Sequence, residues 1–349
     1  MKIPHSRPCL GEKETAAVIR VIKSGMLAQN GETARLEAAA RKISGIKHAA
    51  AVSSGMKALE LALAARGVGP GDEVIIPSYC CSAPWHAVMA RGARAALADC
   101  DPNAFNPSRR DIKRAMTRRT KAVILPNMFG LPCDPGDIAP DAPFVIQDCA
   151  HSFGATVNGR FAGALGDACT ASFYATKLMA AGEGGMVLSD SAEIAGEVRD
   201  LREYDKKPAD KPRQNAKLTD LQAALALVQM RRLREFISAR QAAADMYDAA
   251  LSGSSLVLPL RQEGRIYFRY VVRVPGGKAQ AVIEKLNKAG IAAHRPVFRP
   301  LHLDAAQSRA FPGADEAFSS AVSLPLYPGI SGRDIAKVCS VLLACTGLR

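Results

Sequence analysis

No run in this sequence is apolar for long enough to cross a bilayer. The longest, such as Ala223–Val228, fall far short of the roughly 20 residues a membrane helix needs. The opening Met1-Lys2-Ile3-Pro4-His5-Ser6 lacks the apolar centre of a signal peptide. Cys-x-x-Cys is absent, and the nine cysteines are scattered, with Cys80-Cys81 the one adjacent pair. An odd count without spacing argues against a disulfide framework or a structural zinc, and for a reduced, cytoplasmic chain. Neither G-x-G-x-x-G nor a Walker A pattern occurs, which disfavours a dinucleotide or ATP as ligand. Internal repeats, low-complexity tracts and highly charged, weakly hydrophobic segments are missing too. Acidic residues are in deficit: 33 Asp and Glu face 46 Lys and Arg, a net charge of +13. Such a charge suits a phosphate-bearing substrate, nucleic acid or simply a solvated basic surface. The clusters Arg109-Arg110, Arg118-Arg119 and Arg231-Arg232-Leu233-Arg234 sit in helix-like patterns without interleaved aromatics. No nucleic-acid-binding motif accompanies them, so nucleic acid is not expected as a partner.

What is present is a chain of 349 residues, 48% hydrophobic, able to bury a large core as one large domain or two unequal ones. Short buried-type strands at Ala49–Val52, Glu73–Ile76, Ala93–Ala98, Lys121–Leu125, Phe144–Ile146, Ala168–Tyr174 and Gly185–Leu188 alternate with helical or polar segments. The alternation predicts an α/β domain with a mainly parallel sheet. Leu218–Phe236 reads as one long amphipathic helix with Leu221, Leu225, Val228 and Leu233 on its apolar stripe and Thr219 as a cap. Beyond it, a strand at Ile266–Val274 and helices at Ala279–Ala289 and Asp334–Ala344 would build a smaller C-terminal α/β domain. The expected division is 1–235 and 236–349, with the N-terminal segment in the first.

Three constellations carry chemistry. Asp148 follows the apolar run Phe144-Val145-Ile146, one residue beyond it, at the strand end where open α/β sheets place ligands. Taken alone, it is better read as the cap of a turn. Lys177 closes Ser172-Phe173-Tyr174-Ala175-Thr176-Lys177 and precedes Gly182-Glu183-Gly184-Gly185. A lysine that attacks an aldehyde must be transiently neutral and well placed, but most lysines serve solubility. The glycine run needs a permissive backbone close to something, or is a tight turn. Ser53-Ser54-Gly55-Met56-Lys57 joins a strand to a helix start, where free N–H groups and the helix dipole favour an anion. It also reads as an ordinary capped helix.

In order and spacing these segments resemble the DegT/DnrJ/StrS family of sugar aminotransferases. The likeness runs on through Pro77-Ser78-Tyr79, Cys149-Ala150-His151-Ser152-Phe153-Gly154-Ala155, Asn215-Ala216-Lys217-Leu218-Thr219-Asp220, Arg299-Pro300-Leu301-His302 and Ser323-Leu324-Pro325-Leu326-Tyr327-Pro328. The resemblance implies the fold type I pyridoxal-phosphate (PLP) transferase architecture, with a mainly parallel seven-stranded sheet in the large domain. It implies PLP as cofactor, Lys177 as the residue that joins it and moves the proton, and Asp148 on the pyridine nitrogen. His151 would lie near the ring, Ser172 and the backbone of Gly55 and Met56 would hold the phosphate, and Asn215 would reach the same phosphate from a neighbouring subunit. The last point implies a homodimer with composite sites. Arg299 and His302 would lie on the substrate side. The reaction implied moves an amino group from an amino acid, glutamate by resemblance, to a keto sugar, nucleotide-linked, in amino-sugar and polysaccharide biosynthesis. Three positions depart from the family: Met56 replaces a Thr or Ala, Cys81 replaces an aromatic that stacks on the ring, and Lys217 replaces an Arg. Rival readings are a keto-cyclitol or other non-nucleotide acceptor, and a non-catalytic regulatory protein of the same fold. Relatives that dehydrate sugars replace the Schiff-base lysine with His, and Lys177 argues against that chemistry here.

Overall fold

The computed structural model describes residues 2–139, 141–305 and 309–346. Seven strands form the main sheet: β1 His48–Val52, β2 Glu73–Pro77, β3 Arg94–Ala98, β4 Thr120–Pro126, β5 Val145–Asp148, β6 Ala168–Ser172 and β7 Gly185–Ser189. Their spatial order is β1-β7-β6-β5-β4-β2-β3. Pairings among β2, β3, β4, β5 and β6 are parallel, and β7 runs antiparallel to both β6 and β1. The mainly parallel seven-stranded sheet is as expected.

Side chains alternate across each strand, and here both faces are covered, so the strands read as unbroken apolar runs. Val74, Ile76, Ile124 and Ile146 enter one core layer, while Ile75, Val123, Leu125 and Val145 enter the layer on the other face. Because β1 and the parallel strands run the same way, Ser53-Ser54-Gly55, Asp148 and Ser172 all lie at one end of the sheet, the carboxyl end. That end is where open α/β sheets bind ligands.

The expected helix Leu218–Phe236 is two helices, Asp220–Arg231 and Leu233–Leu251. Thr219 does cap the first, its Oγ1 accepting from the N–H of Gln222 at 3.4 Å. Arg232 forms the joint, at φ −95° and ψ 3°. It is tied to Glu14 and Glu235 at 2.8 Å each. Periodicity does not show such a joint, because the apolar stripe continues through it. Two of the three basic clusters also lie outside helix interiors: Arg118-Arg119 is in a turn, and Arg231–Arg234 spans this joint.

The expected strand Ile266–Val274 shortens to β8, Tyr270–Arg273, which pairs antiparallel with β9, Ala321–Leu324. Its first residues bond elsewhere: the N–H groups of Ile266 and Phe268 donate to the carbonyls of Gly130 and Phe129. They are thereby drawn towards the main sheet. Around β8 and β9, Tyr247, Tyr270, Leu286, Leu324 and Leu342 form a separate apolar core. Ile3 belongs to that core, and its N–H donates to the Gly290 carbonyl at 2.9 Å. The first residues of the chain, grouped with the large domain in the sequence-based division, thus hydrogen-bond to the C-terminal unit. No helix among the described residues is long and apolar enough to cross a membrane.

Candidate active site

The helix Gly55–Ala65 begins directly behind β1, capped by Ser54, whose Oγ accepts from the N–H of Lys57 at 3.1 Å. The N–H groups of Gly55 and Met56, in the first turn, have no intrahelical partner and offer an anion two donors. The cradle is closed by Ser172 at the end of β6: a Cβ added at Gly55 would lie 2.7 Å from Ser172 Cβ and 3.0 Å from its Oγ. The Met56 side chain packs against the large-domain core, so this position contributes only backbone to the cradle. Lys57 is held away by Glu60 and Gln214, at 2.6 and 2.7 Å.

The glycine run has a structural use. Gly182 and Gly184 have φ of +82° and +139°, and Gly184 and Gly182 accept, through their carbonyls, the N–H groups of Phe173 and Ala175. The resulting tight loop carries Lys177. At Gly185 a Cβ would stand 2.3 Å from the Ser54 carbonyl oxygen, so the cradle backbone rests directly on β7. A Gly55→Ala substitution is therefore expected to push Ser172 aside and weaken cofactor retention at least about tenfold, or roughly 1.4 kcal/mol, measured by titrating PLP into apoprotein.

Asp148 ends β5 and is buried, 7% exposed. Its Oδ1 accepts from the N–H of Ala150 at 3.0 Å and from Thr170 Oγ1 at 3.4 Å, and Oδ2 makes no hydrogen bond among the described residues. Burial pushes its carboxyl above the ordinary value, against the pull of the Ala150 N–H, the Lys177 charge and Thr170. A buried carboxylate with one free oxygen calls for a cationic donor, and a protonated pyridine nitrogen is one.

Lys177 lies 5.1 Å from the centroid of the Phe268 ring, and no carboxylate among the described residues pairs with its amine. Burial holds that amine below the ordinary lysine value. Cys81 and Asp148 oppose the effect and the Arg269 charge adds to it. A desolvated lysine that loses its proton more readily is suited to attack a carbonyl. The same charges place Lys177, Asp148 and Cys81 in one electrostatic group, and Cys81 is solvent-accessible.

The His151 ring stacks on Phe268, centroids 4.2 Å apart and planes 16° apart. Burial, then the charges of Lys177 and Arg269, keep His151 neutral by lowering its pKa well below the ordinary value. Phe268 is the contact that sequence reasoning missed. Inside an apolar run it reads as core, and nothing in its neighbours marks it as touching a lysine.

The cradle, the buried carboxylate and the desolvated amine together fit the phosphate, ring nitrogen and aldehyde of PLP. Three other expected residues stand apart from them. Asn215 is exposed and its side chain makes no hydrogen bond among the described residues, although the neighbouring Ala216 carbonyl accepts from Ser53 N–H at 2.8 Å. Arg299 pairs with Asp304 at 2.8 Å on the surface. His302 places Nδ1 2.6 Å from Ser78 Oγ and Nε2 3.1 Å from Asp315. The order Ser-His-Asp suggests a hydrolytic triad, but Ser78 is fully buried and no substrate reaches it. Lys217, the third departure, is paired with Glu203 at 2.6 Å.

Comparison with known proteins agrees with this geometry. The DegT/DnrJ/EryC1/StrS aminotransferase family matches residues 8–343. The GDP-perosamine synthase of Caulobacter vibrioides is 34% identical over 318 residues, covering 85% of each chain. The crystal structure of the aminotransferase TlmJ from Streptoalloteichus hindustanus superposes with a TM-score of 0.92 at 31% identity, over 99% of both chains. Spr1654 of Streptococcus pneumoniae, in its PLP form, shares the fold with a TM-score of 0.93 at 24% identity, again over 99% of both chains. A likeness that spans the sequence, the fold and the chemistry of the strand ends has one reading: the chain belongs to the DegT/DnrJ/EryC1/StrS aminotransferase family, and its cofactor is pyridoxal phosphate.

Proposed function

We propose that this aminotransferase moves the amino group of glutamate to a nucleotide-linked keto sugar. The observation that carries the reading is the convergence of Lys177, Asp148 and the Gly55–Ser172 cradle at the carboxyl end of one sheet. The choice of acceptor is supported by the relative named as a GDP-perosamine synthase and by the excess of basic residues.

When bound, pyridoxal phosphate forms Schiff bases with amines and takes up the electron pair left when an α-proton departs. The chain's own residues then divide the work. The N–H groups of Gly55 and Met56 and the Ser172 hydroxyl would hold the cofactor's phosphate, an anchor independent of the Lys177 side chain. Asp148 would pair with the ring nitrogen and keep it protonated. His151, neutral and flat against Phe268, bounds the ring site. The Lys177 amine carries the proton away from the donor's α-carbon, and in the second half of the reaction it delivers a proton to the sugar carbon. Cys81 takes the place of a stacking aromatic and offers the ring less contact area. Asn215, exposed and with no side-chain hydrogen bond among the described residues, is suited to complete the phosphate site of a second copy, which makes the working unit a homodimer. Residues 1–235 thus carry the cofactor and 236–349 form the smaller unit against it, with residues 3–5 hydrogen-bonded to the latter. The nine cysteines are unpaired, which supports a cytoplasmic setting.

The test is spectroscopic. Adding glutamate to the yellow holoenzyme is expected to convert its absorbance to that of the pyridoxamine form, and a nucleotide-linked keto sugar to restore it. Restoration by free keto sugars or keto-cyclitols alone would overturn the nucleotide assignment. A spectrum indifferent to every amino donor would overturn the transferase reading in favour of a binding protein.

A further inference from the structure

A cleft of about 1150 Å³ opens beside Thr176, the neighbour of Lys177, and runs between the N-terminal residues 2–7 and the C-terminal unit. Its charged lining is lopsided: Lys2, Arg7, Arg269, Arg333 and Lys337 against Asp334. Arg269 is the member nearest the chemistry. Its guanidinium carbon lies 4.7 Å from the centroid of the Phe268 ring, the same ring that Lys177 Nζ approaches to 5.1 Å. An anion seated on Arg269 would therefore stand about one aromatic ring away from the reacting amine.

Two features make Arg269 a receptor as well as a source of charge. First, no carboxylate among the described residues pairs with it. Arg202 and Arg213 are matched by Glu37 at 2.9 Å and Asp200 at 3.0 Å, and the buried Arg240, which has no carboxylate either, is satisfied by the carbonyls of Phe268 and Leu326 at 3.1 and 3.0 Å. A partly desolvated guanidinium without a counter-charge is costly to fold around, and a bound anion removes that cost. Secondly, its orientation is set from behind. Its Nη1 donates to Nδ1 of His5 at 3.0 Å. An arginine has no lone pair to offer, so His5 must present one at Nδ1 and carry its proton on Nε2, which donates to Ser323 Oγ at 2.9 Å. His294 packs edge-on against His5 at 4.7 Å and walls the pair. The remaining guanidinium donors have no protein acceptor among the described residues, which leaves the planar fork that carboxylates and phosphates accept.

We propose that Arg269, positioned by His5, anchors an oxyanion subsite in this cleft that takes a carboxylate or phosphate group of the substrate reacting at Lys177. The subsite rests on the aminotransferase reading for its purpose, but anion binding needs no turnover and can be tested separately. The PLP-loaded protein, with its own phosphate cradle filled, is titrated by calorimetry with inorganic pyrophosphate and with succinate. Wild type is expected to bind at least one of the two, and Arg269→Met to weaken that binding at least about tenfold. Arg269→Lys keeps the charge without the fork and falls between, while unchanged cofactor absorbance in both variants reports an intact fold. The half-reactions then separate the sources. A carboxylate occupant raises the half-saturating glutamate concentration of Arg269→Met in the first half-reaction. A phosphate occupant raises that of the nucleotide-linked keto sugar in the second. Absence of binding by wild type, or equal binding by wild type and Arg269→Met, overturns the proposal. If no donor or acceptor turns over while anion binding still depends on Arg269, the subsite stands and the transferase reading falls.

Discussion

Replacing Lys177 by Ala is expected to lower amino transfer by at least about 10⁴-fold, measured as the rate of conversion to the pyridoxamine form on mixing with glutamate. Two losses combine. The amine that shuttles the proton contributes about 10²–10⁴-fold by itself. The covalent link that holds the cofactor in register is lost as well. The protein should still bind PLP through the Gly55–Ser172 cradle and Asp148, because neither depends on the lysine side chain. Its absorbance would then be that of the free aldehyde. A small primary amine added to the solution should restore part of the rate, since the cavity left by the side chain admits one. Lys177→Arg serves as a control: it keeps a cation near Phe268 but supplies no nucleophilic amine, and it should be as slow as the alanine variant.

The second large effect is expected at Asp148. Asp148→Ala should lower the rate about 10³-fold, within the range seen when a preorganised charge at a developing ionic centre is removed. In the protein without cofactor, burial pushes this carboxyl upwards, and a protonated ring nitrogen against Oδ2 reverses that by supplying the opposite charge. Without the carboxylate the ring nitrogen loses its proton and the ring draws electrons less strongly. Asp148→Asn preserves shape and the contacts of Oδ1 but not the charge, so it should resemble the alanine variant in rate while retaining more PLP. Near-wild-type turnover by Asp148→Asn would show that the charge at this position does not matter.

How much of this was legible beforehand differs from residue to residue, for physical reasons. The sheet was legible because its strands are buried on both faces and read as apolar runs bounded by turns. Asp148 was visible as an acid at the end of such a run, though no local signal separates a ligand from a turn cap. Lys177 gained its meaning from the order of segments around it. The charges that act on its buried amine, from Cys81, Asp148 and Arg269, come from three parts of the chain distant from Lys177 and from one another. The closeness of Gly55 to Ser172, 2.7 Å at a virtual Cβ, joins positions more than a hundred residues apart and could not be read from either. Phe268 and Arg269 were hidden for a different reason. They lie in a run whose apolar pattern predicted strand, yet Phe268 donates its N–H to Phe129 and turns the segment towards the site. Arg232 broke a helix whose amphipathic stripe runs on without interruption, because the break is set by its ties to Glu14 and Glu235. The pairing of His302 with Ser78 across 224 residues likewise belongs to tertiary structure alone.

The most direct measurement is reduction of the yellow holoenzyme with borohydride, followed by proteolysis and mass mapping of the pyridoxyl group. The group should be found on Lys177, in the peptide that follows β6. Its appearance on another lysine, such as Lys57 beside the cradle, or its absence from every lysine, would contradict the central claim.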